Sequence, residues 1–333
     1  MKRLSVFASV SVLALAAGPL FAAGKWTRGP RVVQRPSASS TSSASTAAQK
    51  SARVNPPAVT AAVGYSVQLN IVTRVQGTSF FRTAVDITNN TTTDGVTAAY
   101  QYCYTLSGSF RGCTSAQTIV LHPLDNFHTD DIVQFLGSVL EPGAADLSFG
   151  TFIVTFAGLP SGNGWEGTVT GRTYSPFDPG TVAIAYPASL FFESASGSLV
   201  GTVRDTRPAP TEAGALRTNL GITNTALFDT QNPVTVQISV YDATEGSTTG
   251  GQQVGNILSR TLQPGEVQQI NDLFTAAAVP NNVLSAIVFV DIPGPVSTTN
   301  PPTIEGYINI LDGGTQDGAY FEMKCSAGCA TFN

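Results

Sequence analysis

Apolar and polar residues alternate along most of the chain from residue 63 onward. In FRTAVDIT, beginning at Phe81, the residues Phe81, Thr83, Val85 and Ile87 share one side and Arg82, Ala84, Asp86 and Thr88 the other. This is the period-two pattern of a half-buried antiparallel strand. Leu216, Thr218, Leu220 and Ile222 repeat it. The runs 118–121, 152–156, 168–170, 234–241 and 286–290 are rich in Val, Ile, Thr and aromatic residues and are bounded by Gly, Pro, Asn and Asp, so each reads as a strand. Two stretches break the pattern. Asp130-Asp131 precedes IVQFLGSV, and Asn271-Asp272 precedes LFTAAAV ahead of Pro280. A polar cap before a short apolar stretch predicts a short helix or turn over the end of a sheet.

The strand pattern is written twice. Arg82-Thr83 and Ile87-Thr88-Asn89 return as Arg217-Thr218 and Ile222-Thr223-Asn224 at one constant spacing. Val96, Ala98, Tyr100 and Tyr102 then match Val234, Val236, Ile238 and Val240, and Leu121, Pro123, Asp125, Asp131 and Ile132 match Leu262, Pro264, Glu266, Asp272 and Leu273. Glu166-Gly167 pairs with Glu305-Gly306, Asp178-x-Gly-Thr with Asp312-x-Gly-Thr, and Ala185-Tyr186 with Ala319-Tyr320. The landmarks keep their order while loop lengths drift, which is how two copies of one fold diverge. The expectation is an all-β chain of two tandem immunoglobulin-like antiparallel β-sandwich modules, 63–196 and 197–323, each with a short helical turn. One β-barrel built from both copies is the alternative.

Composition changes the picture at the N-terminus. Residues 1–23 open with Lys2-Arg3, run through an apolar stretch and reach small residues around Ala22, the layout of a secretory signal peptide. Residues 24–62 hold SASSTSSASTAA and read as a disordered basic leader rich in Ser, Thr and Ala. Residues 1–62 carry eight of the 17 basic side chains and no acidic one, so the remainder, with nine basic and 22 acidic, has a net charge of −13. An acidic folded part argues against nucleic acid as a partner. After residue 23 no apolar run approaches the length of a membrane span. The expected location is secreted, extracellular or cell surface.

Four cysteines in an exported chain predict two disulfides, and local pairing of Cys103 with Cys113 and of Cys325 with Cys329 is the simplest of three connectivities. The first pair flanks a Gly/Ser-rich hairpin tip, and the second lies in a Cys-containing tail, 324–333. A four-thiolate metal site is the rival reading.

Catalytic chemistry has few residues to draw on. His122 and His128 are the only histidines, and at the spacing of the second copy they become Gln263 and Gln269, which points to exposed polar positions rather than a metal or acid/base site. No Gly-x-Ser-x-Gly elbow is present. Glu166, Asp178, Glu305 and Asp312 offer carboxylates, and their recurrence in both copies favours turn roles. No cofactor is expected, with structural calcium at the Asp/Gly turns or near Asp130-Asp131 as an alternative. Arg82 and Arg217, at one strand position of both copies, are candidate anion contacts or structural cations. Trp165, Tyr102, Tyr104 and Phe110 are the candidate aromatic platform of a carbohydrate-binding surface.

The second copy resembles a class of tandem all-β modules in secreted bacterial proteins. In that class a Val-x-Arg or Gly-x-Arg strand leads into Phe/Leu-Arg-Thr-Asn-Leu-Gly-Ile-Thr-Asn, then a Leu-x-Pro-Gly turn and Gln-Ile-Asn-Asp-Leu-Phe. Leu216 to Asn224 and Leu262 to Phe274 carry the likeness. The first copy departs from it, with Ala84-Val85-Asp86 in place of Asn-Leu-Gly and Leu124 in the Gly place. The resemblance implies an extracellular, non-catalytic role and brings no catalytic residues. The expected function is a surface, matrix or adhesion component that meets an extracellular protein or polysaccharide, with an extracellular carbohydrate-binding protein as the alternative and an enzyme as the weakest reading.

Overall fold

A computed structural model describes residues 63–76, 80–159, 166–177, 180–190, 195–206, 215–225, 232–294, 302–312 and 318–329. The signal peptide and leader expected from the sequence lie outside them. The first repeat contributes β1 (Val63–Gln76), β2 (Phe80–Asn89), β3 (Val96–Leu106), β4 (Ser109–Cys113), β5 (Gln117–Leu121), β6 (Asn126–Thr129), the helical turn α1 (Ile132–Phe135), β7 (Ser148–Leu159), β8 (Gly167–Phe177), β9 (Gly180–Pro187) and β10 (Ser189–Leu190). The second contributes β11 (Ala195–Arg204), β12 (Leu216–Asn224), β13 (Val234–Asp242), β14 (Gln253–Leu262), β15 (Val267–Ile270), α2 (Leu273–Ala276), β16 (Ser285–Asp291), β17 (Ile304–Asp312), β18 (Gly318–Glu322) and β19 (Lys324–Cys329). No helix among the described residues is long and apolar enough to cross a membrane.

Each repeat forms one antiparallel sheet, in the order β4-β3-β7-β1-β2-β8-β9 and β14-β13-β16-β11-β17-β12-β15. In the first, β3, β7 and β1 make one limb and β2, β8 and β9 the other. The limbs join where β1 meets β2, from Arg74 opposite Arg82 to Gln76 opposite Phe80. Leu69, Val72, Val85, Ile87, Tyr102, Phe152, Phe156 and Val169 come from both limbs and pack into one core, which removes the apolar face of each strand from water. The second repeat does the same with Leu199, Leu220, Ile222, Ile238, Val288 and Ile308. The tail, set apart from the second module on sequence, instead supplies β19, which pairs with β11 and gives that strand's backbone groups partners. Cys103–Cys113 and Cys325–Cys329 are both disulfides.

The repeated residues prove to be the ones that hold turns and strand ends. Asn89 donates from Nδ2 to the carbonyls of Leu121 and His122 at 3.2 and 2.9 Å, and Asn224 donates to Leu262 and Asn232 at 3.1 Å each. The Asp125 carboxylate accepts from the His122 amide at 2.8 Å, and Glu266 accepts from the Gln263 amide at 2.7 Å. Position 122 serves the turn through its backbone N–H, a contact that Gln263 keeps, and His122 Nδ1 adds a contact to Asp125 Oδ2 at 3.1 Å. Asp131 and Asp272 cap α1 and α2, each accepting a backbone N–H at 3.0 Å. Arg74 locks the first cap, reaching Asp131 Oδ2 and Asp146 Oδ1 at 2.8 Å each. Leu124 holds the left-handed turn that Gly265 makes in the sister repeat, with φ of 64° and 78°.

The two repeats share a buried junction, and the described residues fall within a single unit. Gln68 and Asn70 point away from the first core yet are 1 % exposed, because the β12/β17 face of the second repeat covers them. Both donate to Glu305 Oε2 at 3.4 Å, and Thr223 donates to Asn70 Oδ1 at 3.1 Å. Beside this polar patch Tyr186, Tyr320 and Tyr307 stack, with centroids 5.3 and 5.6 Å apart. Val267 and Tyr307 of the second repeat join the core cluster of the first. Glu305, expected in a turn, lies inside β17 and is 3 % exposed. Nor are Glu166 and Glu305 structural equivalents: Glu305 stands opposite Thr223, whereas Thr168 stands opposite Thr88.

Burial holds the Tyr307 phenol well above its ordinary pKa, with the Tyr320 and Tyr186 phenols adding to the shift. Its ring occupies the space above Gly221, where an added Cβ would stand 2.0 Å from ring carbons. Truncation of this wholly buried ring, Tyr307→Ala, is expected to lower the stability of the whole unit by about 3–5 kcal/mol, measured by urea unfolding.

Candidate functional site

Corresponding faces of the two repeats have opposite fates. In the second, Asn219, Gly221 and Thr223 of β12 and Glu305, Tyr307 and Asn309 of β17 are all buried. In the first, the ladder positions of Gly221, Tyr307 and Asn309 are held by Asp86, Thr170 and Arg172. Asp86 is half-buried, and Thr170 and Arg172 are exposed. The glycine that makes room for Tyr307 is not needed where the partner is a threonine, so an aspartate is tolerated. This accounts for Asp86 in place of the motif's glycine.

The outer face of β6, β2, β8 and β9 is the candidate site. Register places His128 opposite Asp86, Asp86 opposite Thr170, and Thr170 opposite Pro187. His128 Nδ1 lies 2.9 Å from Asp86 Oδ1, and Nε2 lies 3.3 Å from Asp130 Oδ1. Asn126 Nδ2 donates to Asp86 Oδ1 at 2.9 Å, and Thr88 Oγ1 donates to Asn126 Oδ1 at 2.9 Å. An open pocket of about 370 Å³ sits beside this chain of contacts, lined by Asp86, Thr170, Gly171, Arg172, Ala185, Tyr186 and Pro187. Along the same face the guanidinium carbons of Arg82 and Arg172 lie 4.9 and 5.1 Å from the Tyr174 ring centroid. Such a surface offers an anion, a cation and hydroxyl groups around a small apolar floor. It can recognise a polar partner.

The sequence candidates are distributed differently. Arg82 is half-buried on this face, whereas Arg217 is half-buried on β12. Tyr104 is 7 % exposed and stacks on wholly buried Tyr102 at 5.4 Å. Both tyrosines therefore belong to the core rather than to an exposed platform. Phe110 is half-buried at the tip of the β3–β4 hairpin, next to the Cys103–Cys113 bridge. Trp165 and Asp178 lie outside the described residues. Among the described residues no group of three His, Cys, Asp or Glu side chains is arranged to hold a metal. At the calcium position considered near Asp130-Asp131, both Asp131 oxygens are engaged, one by Gln134 N and the other by Arg74. Thr170, Arg172, Ala185 and Pro187 were not singled out from sequence. Alternation along β8 and β9 was the signal that could have found them.

The chain matches no known protein-family profile, and no curated protein matches it in sequence.

His128 titrates above its ordinary value of 6.5, raised first by the hydrogen bond to Asp86 and then by that to Asp130. Since the folded state favours the imidazolium, the stabilisation is fully present below pH 6.5 and fades as pH rises through the raised value. An NMR titration is expected to show His128 above 6.5 in the native protein and moving toward 6.5 in Asp86→Asn.

Proposed function

We propose that the protein is a secreted, non-catalytic surface, matrix or adhesion component of two immunoglobulin-like β-sandwich modules, and that it meets an extracellular partner through the outer face of the first module. The observation that carries this reading is the contrast between equivalent faces. The face used for packing in the second repeat is open in the first, where it presents Asp86, His128, Asp130 and Arg172 around a pocket. Charged side chains at positions where the sister has Gly221, Gln269 and Asn309 keep that face in water and available to a partner. Rigid antiparallel sheets hold the face in shape, so recognition rests on surface complementarity. Export is supported by the signal-like residues 1–23 and by two disulfides.

A polysaccharide ligand is the alternative to a protein partner. Burial of Tyr102 and Tyr104 removes two members of the expected stacking platform, so such a ligand would rely on Asp86, Thr170 and Arg172. A glycan array and a binding assay on the surface of producing cells, each read with and without calcium, test both. Asp86→Ala with Arg172→Ala is expected to weaken any specific binding about tenfold or more. Undiminished binding in this double variant would contradict the assignment to this face.

A further inference from the structure

The limb β13-β16-β11 of the second repeat has an apolar outer face. Tyr241 stands opposite Ile287, Ile287 opposite Thr202, and Phe289 opposite both Ser239 and Val200. Tyr241, Ile287, Phe289 and Val200 are half-buried, and none belongs to the hydrophobic core cluster beneath them. The Tyr241 and Phe289 rings meet edge to face at 5.5 Å. In the first repeat the corresponding limb β3-β7-β1 is an interface already: its outward residues Gln68 and Asn70 meet Glu305, and Thr151 Oγ1 donates to the Gly265 carbonyl at 3.1 Å. The second repeat is thus more apolar on this face than the first, although the first is the one covered within the chain.

We propose that this face binds the same face of a second copy of the chain, giving a two-fold dimer. Two features select that occupant. Head-to-tail growth, repeating the internal junction between molecules, would bring the outer face of a first repeat onto it. That would bury Asp86, His128, Asp130 and Arg172 against Phe289 and Ile287, and ions left without partners cost several kcal/mol each. Apposition of like faces puts apolar and neutral groups at the centre, with Ser239, Thr202 and Gln237 around them and Lys324, opposite Val200 on β19, at the edge. The second feature is the placement of charge. Asp291 and Arg204 lie at opposite ends of the face, opposite Ser198 and Ser285 respectively. A two-fold axis running across the strands brings Arg204 of each copy to Asp291 of the other, and closes the assembly at two.

Sedimentation equilibrium of the full purified protein tests this up to about 100 μM, a range in which moderate interfaces are populated. A dimer is expected. Phe289→Ser and Tyr241→Ser, at half-exposed positions outside the core, should each weaken it about tenfold or more while the circular dichroism spectrum is unchanged. Arg204→Asp should weaken it, and combination with Asp291→Arg should restore it, a rescue that does not depend on truncating an apolar side chain. A monomer throughout this range would overturn the proposal. So would a dimer indifferent to Phe289→Ser and to the charge reversal, or one abolished instead by Asp86→Ala with Arg172→Ala.

Discussion

The constraint on which the rest of the structure depends is the seating of the β12/β17 face of one repeat on the outer side of β1 in the other. Strand β1 is thereby covered on both sides: Leu69 and Val72 face the first core, while Gln68 and Asn70 face the second repeat. A sheet face that would ordinarily be solvated must then satisfy its polar groups internally. It does so in part, with two amides meeting Glu305 and a hydroxyl meeting Asn70, while Gln68 Oε1 accepts no hydrogen bond. The tyrosine stack supplies the apolar burial that a purely polar patch would lack. Breaking either part leaves buried polar groups without partners, so the two repeats gain stability together.

That seating also explains how two copies of one fold came to differ. The junction is asymmetric: it uses the outer faces of opposite limbs of the two sheets, with Tyr186 of β9 meeting Tyr320 at its edge, so each repeat has one outer face committed and one facing away. The second repeat meets the close approach of Tyr307 with Gly221. The first, with no such neighbour, places Asp86 there and surrounds it with His128 and Asn126. A repeat with a polar, charged outer face does not offer that face for apolar stacking. The same substitutions create the polar pocket that defines the candidate site.

Much of the local structure was legible in the sequence because it depends on neighbours in sequence. The strands follow from alternation and the helical turns from Asp131 and Asp272. The repeat comparison also read His122 as an exposed polar position, and its side chain is exposed. What depended on packing between repeats was not legible. Nothing in Glu305 itself marks it as buried among amides rather than exposed in a turn, and the Glu-Gly match to Glu166 concealed a shift along the strand. Tyr102 and Tyr104 read equally well as platform or core until the partner strands were placed. The tail read as an appendage because pairing of β19 with β11 joins residues far apart in the chain.

The central claim is that the junction makes the two repeats one folding unit. Hydrogen exchange resolved along the chain tests it directly, by comparing the most protected amides of β1 and β7 with those of β12 and β17 under native conditions. Cooperative folding predicts one shared opening free energy for both sets, equal to the stability from global unfolding and reduced equally when the junction is weakened. Exchange of one repeat at a distinctly lower free energy while the other stays protected would contradict it.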